Sequence, residues 1–223
     1  MAFFEMAAGD LADFVFKRTV EINQRFDLPG DVQKLPTEGK LEEKLEKLLP
    51  LTGPISDKVL ISETSSNWCA YIPNGINGGD VHSQPDYLAG ILRVRSVSIV
   101  LNTDVPNKRL GSVQFVFRDG QKASPVQTRH GTQYRYPVRS IAAHKESRWE
   151  FHSSGDPLAF EETEKYASRS IKDRLTIDMV ERYCASLKIE IFDPDFYSGY
   201  GCIVNSYNPP DGQRLENFPA RKH

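Results

Sequence analysis

Apolar residues recur at Leu11, Phe14, Val15, Ile22 and Phe26, the three-and-four spacing of a helix face. Gly9 to Phe26 therefore reads as a helix with Asp10 as its N-cap, and the following DLPGDVQKLP ends it with two prolines and a glycine. In KLEEKLEKLLP, Leu41, Leu45, Leu48 and Leu49 fall on one face, Glu43 stands four before Lys47, and Pro50 stops the turn. A stripe this short fits core packing, because a coiled coil needs about three heptads or more.

The period then changes. VLISET (59–64) and NWCAYI (67–72) are strand-like, with Ser65 and Ser66 as a bend between them. PDYLAGILRV (85–94) returns to helical spacing at Leu88, Ile91 and Leu92. VSIVL (97–101) is the continuous apolar run of a doubly buried strand. SVQFVFRDG (112–120) alternates Val113, Phe115 and Phe117 with Gln114 and Arg118 before turning at Asp119-Gly120. QYRYPVRSIAA (133–143) and RWEFHSS (148–154) read as a hairpin around His144 to Ser147, with Pro137 putting the first strand at an edge or bulge. Glu161 to Arg169 reads as a short polar helix. Thr176 caps IDMVERYCASLKI, whose Met179, Val180, Tyr183, Cys184 and Leu187 make an apolar face.

Strands interleave with only one clear crossover helix, and helices gather at both ends. The pattern predicts an α+β fold: one domain over 1–204, with a mixed or mostly antiparallel central sheet and the N- and C-terminal helices packed on one face. Its helical N-terminal part covers 1–50, its β-rich middle 55–155 and its helical C-terminal part 156–190. Residues 205–223 read as an irregular tail rich in proline and polar residues.

Composition narrows this little. At 223 residues with 39% hydrophobic content, the chain can bury a full core without staples. Three widely spaced cysteines, Cys69, Cys184 and Cys202, form no CxxC pair and read as thiols in a reducing compartment, Cys202 being the one with a chance of exposure. MAFFEMAAGDLADFVFKR carries Glu5, Asp10 and Asp13 and does not read as a signal peptide. No apolar run reaches the roughly 18 residues of a membrane span, so a cytoplasmic location is expected.

Candidate chemistry begins at NGINGGD (74–80), a glycine-rich loop between a strand and a helix. It lacks GxGxxG spacing and the P-loop lysine, and Asp80 at the helix start would repel phosphate. Asp80 is expected to cap that helix, or else to orient a polar or cationic ligand. Trp68 and Tyr71 precede the loop on opposite faces of their strand, so at most one of them lines a pocket.

The net charge of −2 gives no general pull toward nucleic acid, yet Gly120 to Trp149 holds six basic residues against the single acid Glu146. Arg129, Arg135, Arg139 and Arg148 are interleaved there with Tyr134, Tyr136 and Trp149, a pairing that can grip an acidic protein surface, an anion or single-stranded nucleic acid. Arg135 and Arg139 read first as a solvent-facing row guarding an edge strand. Arg174 is expected to reach back to Glu161, Glu162 or Glu164. The five histidines show no metal-ligand spacing and no nucleophile motif occurs, so neither a metal nor a cofactor is expected.

The leading expectation is a non-catalytic module that binds a protein partner, as an adaptor, an inhibitor or a toxin-neutralising protein does. The alternatives are an enzyme or small-ligand binder with a pocket near the 74–80 loop and the 129–148 arginines, and nucleic-acid binding through the basic stretch.

Overall fold

The computed structural model describes residues 1–28, 30–52, 56–75, 83–102, 111–129, 131–145 and 147–206. Along the chain come β1 (Ala2–Phe4), α1 (Ala8–Phe26), β2 (Gln33–Thr37), α2 (Leu41–Glu46), β3 (Lys58–Glu63), β4 (Cys69–Pro73) and α3 (Ser83–Leu92). Then follow β5 (Arg95–Asn102), β6 (Gly111–Asp119), β7 (Ser124–Thr128), β8 (Gly131–Arg135), β9 (Val138–Lys145), β10 (Trp149–Ser154), α4 (Ile177–Ser186) and β11 (Gly201–Asn205). The chain is α+β with antiparallel strand ladders, the class its pattern predicts. Its contacts fall into two compact units, one holding Met1, Glu5–Asp80 and the chain from Asp193 onward, the other Ala2–Phe4 and Val81–Phe192.

In the first unit the strands run β4-β3-β11-β2. Leu60 faces Ile72 on one side and Ile203 on the other, so their side chains share a face. That face packs with Leu48 and Leu45 of the α2 region into an apolar cluster. The opposite face carries Ile61, Cys202 and Val204, and α1 lies over it, tied by the ion pair of Asp13 with Lys34. Ala8, Leu11, Ala12 and Asn23 are the buried positions of α1, the alanines letting its backbone approach the sheet, while Phe26 is exposed. Ala7, not Asp10, occupies the N-cap, and Asp10 sits in the first turn where the helix dipole favours an acid.

Two strands in this unit escape the sequence reading. β2 runs through Lys34-Leu35-Pro36, a stretch that reads as a helix stop. It tolerates Pro36 because, among the described residues, it is bonded on one side only, to β11. β11 holds Cys202, and pairing on both sides buries that thiol completely, closing the chance of exposure that its sequence left open. A third surprise is Lys44, wholly buried on α2, whose ammonium donates to Ser62 Oγ at 3.1 Å, Tyr197 O at 3.0 Å and Gly199 O at 2.8 Å. Three acceptors for three N–H groups make the burial tolerable.

In the second unit the order is β10-β9-β6-β5-β1. Alternation along β6 puts Phe115 and Phe117 on one face and Val116 and Arg118 on the other. Tyr183 of α4 meets Phe115 edge-on with ring centroids 5.7 Å apart, so α4 covers the first face. Arg118 is buried on the second, bonded to Asp86 of α3 at 3.3 Å and to Ser98 at 2.8 Å. Thr176 caps α4 through the Met179 N–H at 3.3 Å, as its sequence predicts.

The expected strand over 133–143 is broken at Tyr136-Pro137. Residues before the break join β7 in a separate two-stranded ribbon, and residues after it form the interior strand β9 between β6 and β10. The polar helix expected over 161–169 is only a 3-10 turn over Thr163–Ala167.

Candidate functional site

The residues singled out from the sequence are divided between the two units. Trp68 and Tyr71 belong to the first unit and are buried, while the four arginines belong to the second. Asp80, Gly78 and Gly79 lie outside the described residues, as do His82 and His130.

The base of the glycine-rich segment is described, and it is firmly built. Asn74, fully buried, accepts the N–H groups of Asp57 and Lys58 through its carbonyl, each at 3.1 Å. Its amide donates to the Asp57 carboxylate at 2.6 Å and to Pro50 O at 3.2 Å. Thr52 completes the knot with a hydroxyl to Asp57 at 3.4 Å and a backbone bridge to Gly75.

Trp68 lines a cavity of about 480 Å3 with Glu5, Glu63, Thr64, Asn67 and Cys69, beside the first turn of α1. No basic residue lines it. Its carboxylates are already engaged: Glu5 accepts from the Asn67 amide at 2.7 Å, and Glu63 from the Tyr200 N–H at 3.0 Å.

The four arginines do three different things. Arg139 is buried with Glu161, the guanidinium bidentate on a carboxylate that is itself wholly covered, with contacts of 2.7 and 2.9 Å. Its remaining N–H groups reach Ser154 O at 3.1 Å and Gly155 O at 2.9 Å. Glu161 also takes the Leu158 N–H at 2.9 Å and the Tyr166 hydroxyl at 2.8 Å. Burial, then the bonds to Tyr183 and Glu161, push Tyr166 far above the ordinary phenol range. Arg139 is therefore a structural cation, not part of a solvent-facing row. With Glu161 committed to it and Glu162 paired to Arg182 at 2.6 Å, Arg174 turns instead to Ser168 O and the Phe151 ring.

Arg129 and Arg135 stay at the surface, on the β7–β8 ribbon. A Cβ on Gly90 would stand 2.7 Å from Tyr134 Cβ, so only glycine lets the ribbon sit this close to α3. The Tyr136 hydroxyl then donates to Asp86 O at 2.5 Å or to its carboxylate at 2.7 Å, and burial with that bond raises its pKa. Gly120 to Arg135 contains no acid at all. Lys122, Arg129 and Arg135 make the ribbon and its approach uniformly basic, with Lys122 turned to Asp119 at 2.7 Å.

Arg148 lies on the turn between β9 and β10 and pairs with Glu150 Oε1 at 3.3 Å. Glu150 Oε2 faces two imidazoles, His152 Nε2 at 3.7 Å and His144 Nε2 at 4.0 Å, whose rings stack at 5.2 Å with 15° between planes. No linear spacing signals this group. It is created by the β9–β10 register, which sets Glu150 opposite His144 and leaves His152 two residues along on the same face. The predicted hairpin put His144 in its tip, outside both strands, so the group could be found only with the register as well.

No protein-family model, curated protein or solved structure matches the chain.

Proposed function

We propose that the protein is a non-catalytic cytoplasmic binding module whose β7–β8 ribbon grips an acidic surface on a protein partner. The observation that carries this reading is the ribbon itself: two strands paired, among the described residues, with no third strand, seated on α3 through Gly90 and Tyr136, and bearing the exposed Arg129 and Arg135 on a stretch without acids. Such a ribbon has two open edges, and Pro125 on β7 and Arg135 on β8 are residues that discourage indiscriminate strand pairing. Seating on the helix lowers the ordering cost of binding, and positive charge on a stretch of chain without acids favours fast encounter with a negative partner. The three buried free thiols suit a reducing compartment. Among the described residues no helix is long and apolar enough to cross a membrane.

The test compares what the immobilised protein retains from its host's extract with what an Arg129→Glu, Arg135→Glu variant retains. Proteins held at low salt, released at high salt and lost with the variant support the reading. An unchanged retained set refutes it. Retention that disappears on nuclease treatment turns the same ribbon toward nucleic acid.

The cavity beside Trp68 supports a second reading, a small cationic ligand, because its lining offers two carboxylates and no base. Amines that raise the melting temperature of the native chain, and fail to do so in a Glu63→Gln variant, would favour it.

A further inference from the structure

We propose that His144, Glu150 and His152 form a binding site for a divalent transition ion of the zinc class. The donor set is two imidazoles and one carboxylate, and the three ligand atoms lie within 4.8 Å of one another. Around a tetrahedral ion with bonds of about 2.0–2.1 Å, neighbouring ligand atoms stand about 3.3 Å apart. The contacts of 3.7 and 4.0 Å from Glu150 Oε2 therefore need to close by well under an ångström, within reach of side-chain rotation alone.

The backbone supports that geometry. His144 and Glu150 are directly paired and His152 is their diagonal neighbour, on two strands of which β9 is bonded on both sides. Ligands on paired strands keep their spacing better than ligands on a loop. The rings stack near-parallel, so one imidazole must rotate to bring both Nε2 lone pairs onto a common ion, which would replace a weak exposed contact with three coordination bonds.

Imidazole with carboxylate selects zinc, cobalt, nickel or copper over magnesium and calcium, which take all-oxygen sets. Three protein ligands leave at least one position for water, the arrangement of an open rather than a closed zinc site. Arg148 works against the ion, since its guanidinium holds Glu150 Oε1 and adds a positive charge beside the site.

The experiment titrates the full chain, stripped with a chelator, with Co2+ and follows the visible absorption of the coordinated ion, then displaces it with Zn2+. One strong site per chain is expected, with a four- or five-coordinate spectrum that Zn2+ abolishes and Mg2+ and Ca2+ do not. His144→Ala, His152→Ala and Glu150→Gln should each weaken binding by about 100-fold or more, as loss of a direct ligand should exceed the 10–100-fold effect of losing a supporting one. Arg148→Ala should strengthen it several-fold. These side chains are partly or largely exposed, so melting in chelator should be nearly unchanged in every variant. A flat titration, binding that survives His152→Ala and Glu150→Gln, or an Arg148→Ala variant that binds less well would each overturn the site.

Discussion

Replacing Arg139 with methionine removes one partner of a buried ion pair and keeps most of the stem volume. Glu161 has no exposed side-chain surface, so its carboxylate would stay dehydrated with only the Leu158 N–H and the Tyr166 hydroxyl as donors. Ser154 O and Gly155 O would lose their guanidinium bonds at the same time. Breaking a buried pair from one side costs about 3–5 kcal/mol, because the remaining charge keeps its desolvation penalty without its attraction. At about 2–4 °C per kcal/mol for a chain of this size, the melting temperature should fall by roughly 6–20 °C. Glu161→Gln, which leaves the guanidinium unpaired, should cost a similar amount. The combined Arg139→Met, Glu161→Gln variant should be much less damaged than the sum of the singles, with an interaction energy of about 2 kcal/mol or more. Urea unfolding followed by circular dichroism supplies all the values. A loss below about 1 kcal/mol for Arg139→Met, or strictly additive singles, would refute the argument.

Other consequences are as direct. Lys44→Met strips the cation from Ser62 Oγ, Tyr197 O and Gly199 O and should cost about 2–4 kcal/mol. Burial, partly opposed by Glu63, lowers the Lys44 pKa in the folded chain, so between that value and the unfolded value of about 10.4 the unfolded state holds more protons. The stability of the native chain relative to Lys44→Met should accordingly rise with pH across that window, and a pH-independent difference would contradict the assignment. Gly90→Ala should push Tyr134 off α3 and expose the ribbon, seen as faster tryptic cleavage after Arg129 and Arg135; unchanged cleavage would mean that the ribbon is not seated by that contact. All three thiols are buried, and the Cys184 thiol is pushed up to about 12 by burial, so a disulfide reagent should leave the native chain untouched and count three thiols only in denaturant. Rapid labelling of Cys202 in the native state would restore the exposed reading of that residue.

Legibility in the sequence followed the reach of each signal. α3, α4, β3 and β6 announced themselves because their apolar residues keep a local period, and Thr176 because a cap is a contact within one turn. β2 was invisible because its apolar residues are few and its pairing is supplied by β11, far along the chain. The burial of Lys44 was not legible in a lysine- and glutamate-rich helix, since nothing nearby in sequence tells of Tyr197 and Gly199. Arg135 and Arg139 looked equivalent under simple alternation, yet Pro137 separates a surface ribbon from an interior strand, and the two arginines fall on opposite sides of that break. The His144, Glu150 and His152 group lay between these cases: the hairpin was legible, but the group needs its register as well.

The position of β11 carries a consequence for synthesis. Gly201–Asn205 supplies the partner that joins β3 to β2, so both earlier strands leave the ribosome long before the strand that unites them. Until then Val59, Leu60 and Ile61 present an unpaired apolar edge, and β2 has no strand to dock on. The first unit thus depends on a late, long-range closure, the class of step that is slow and prone to off-pathway association. A nascent chain halted before residue 201 should be bound by chaperones, and the same chain extended past residue 205 should be released.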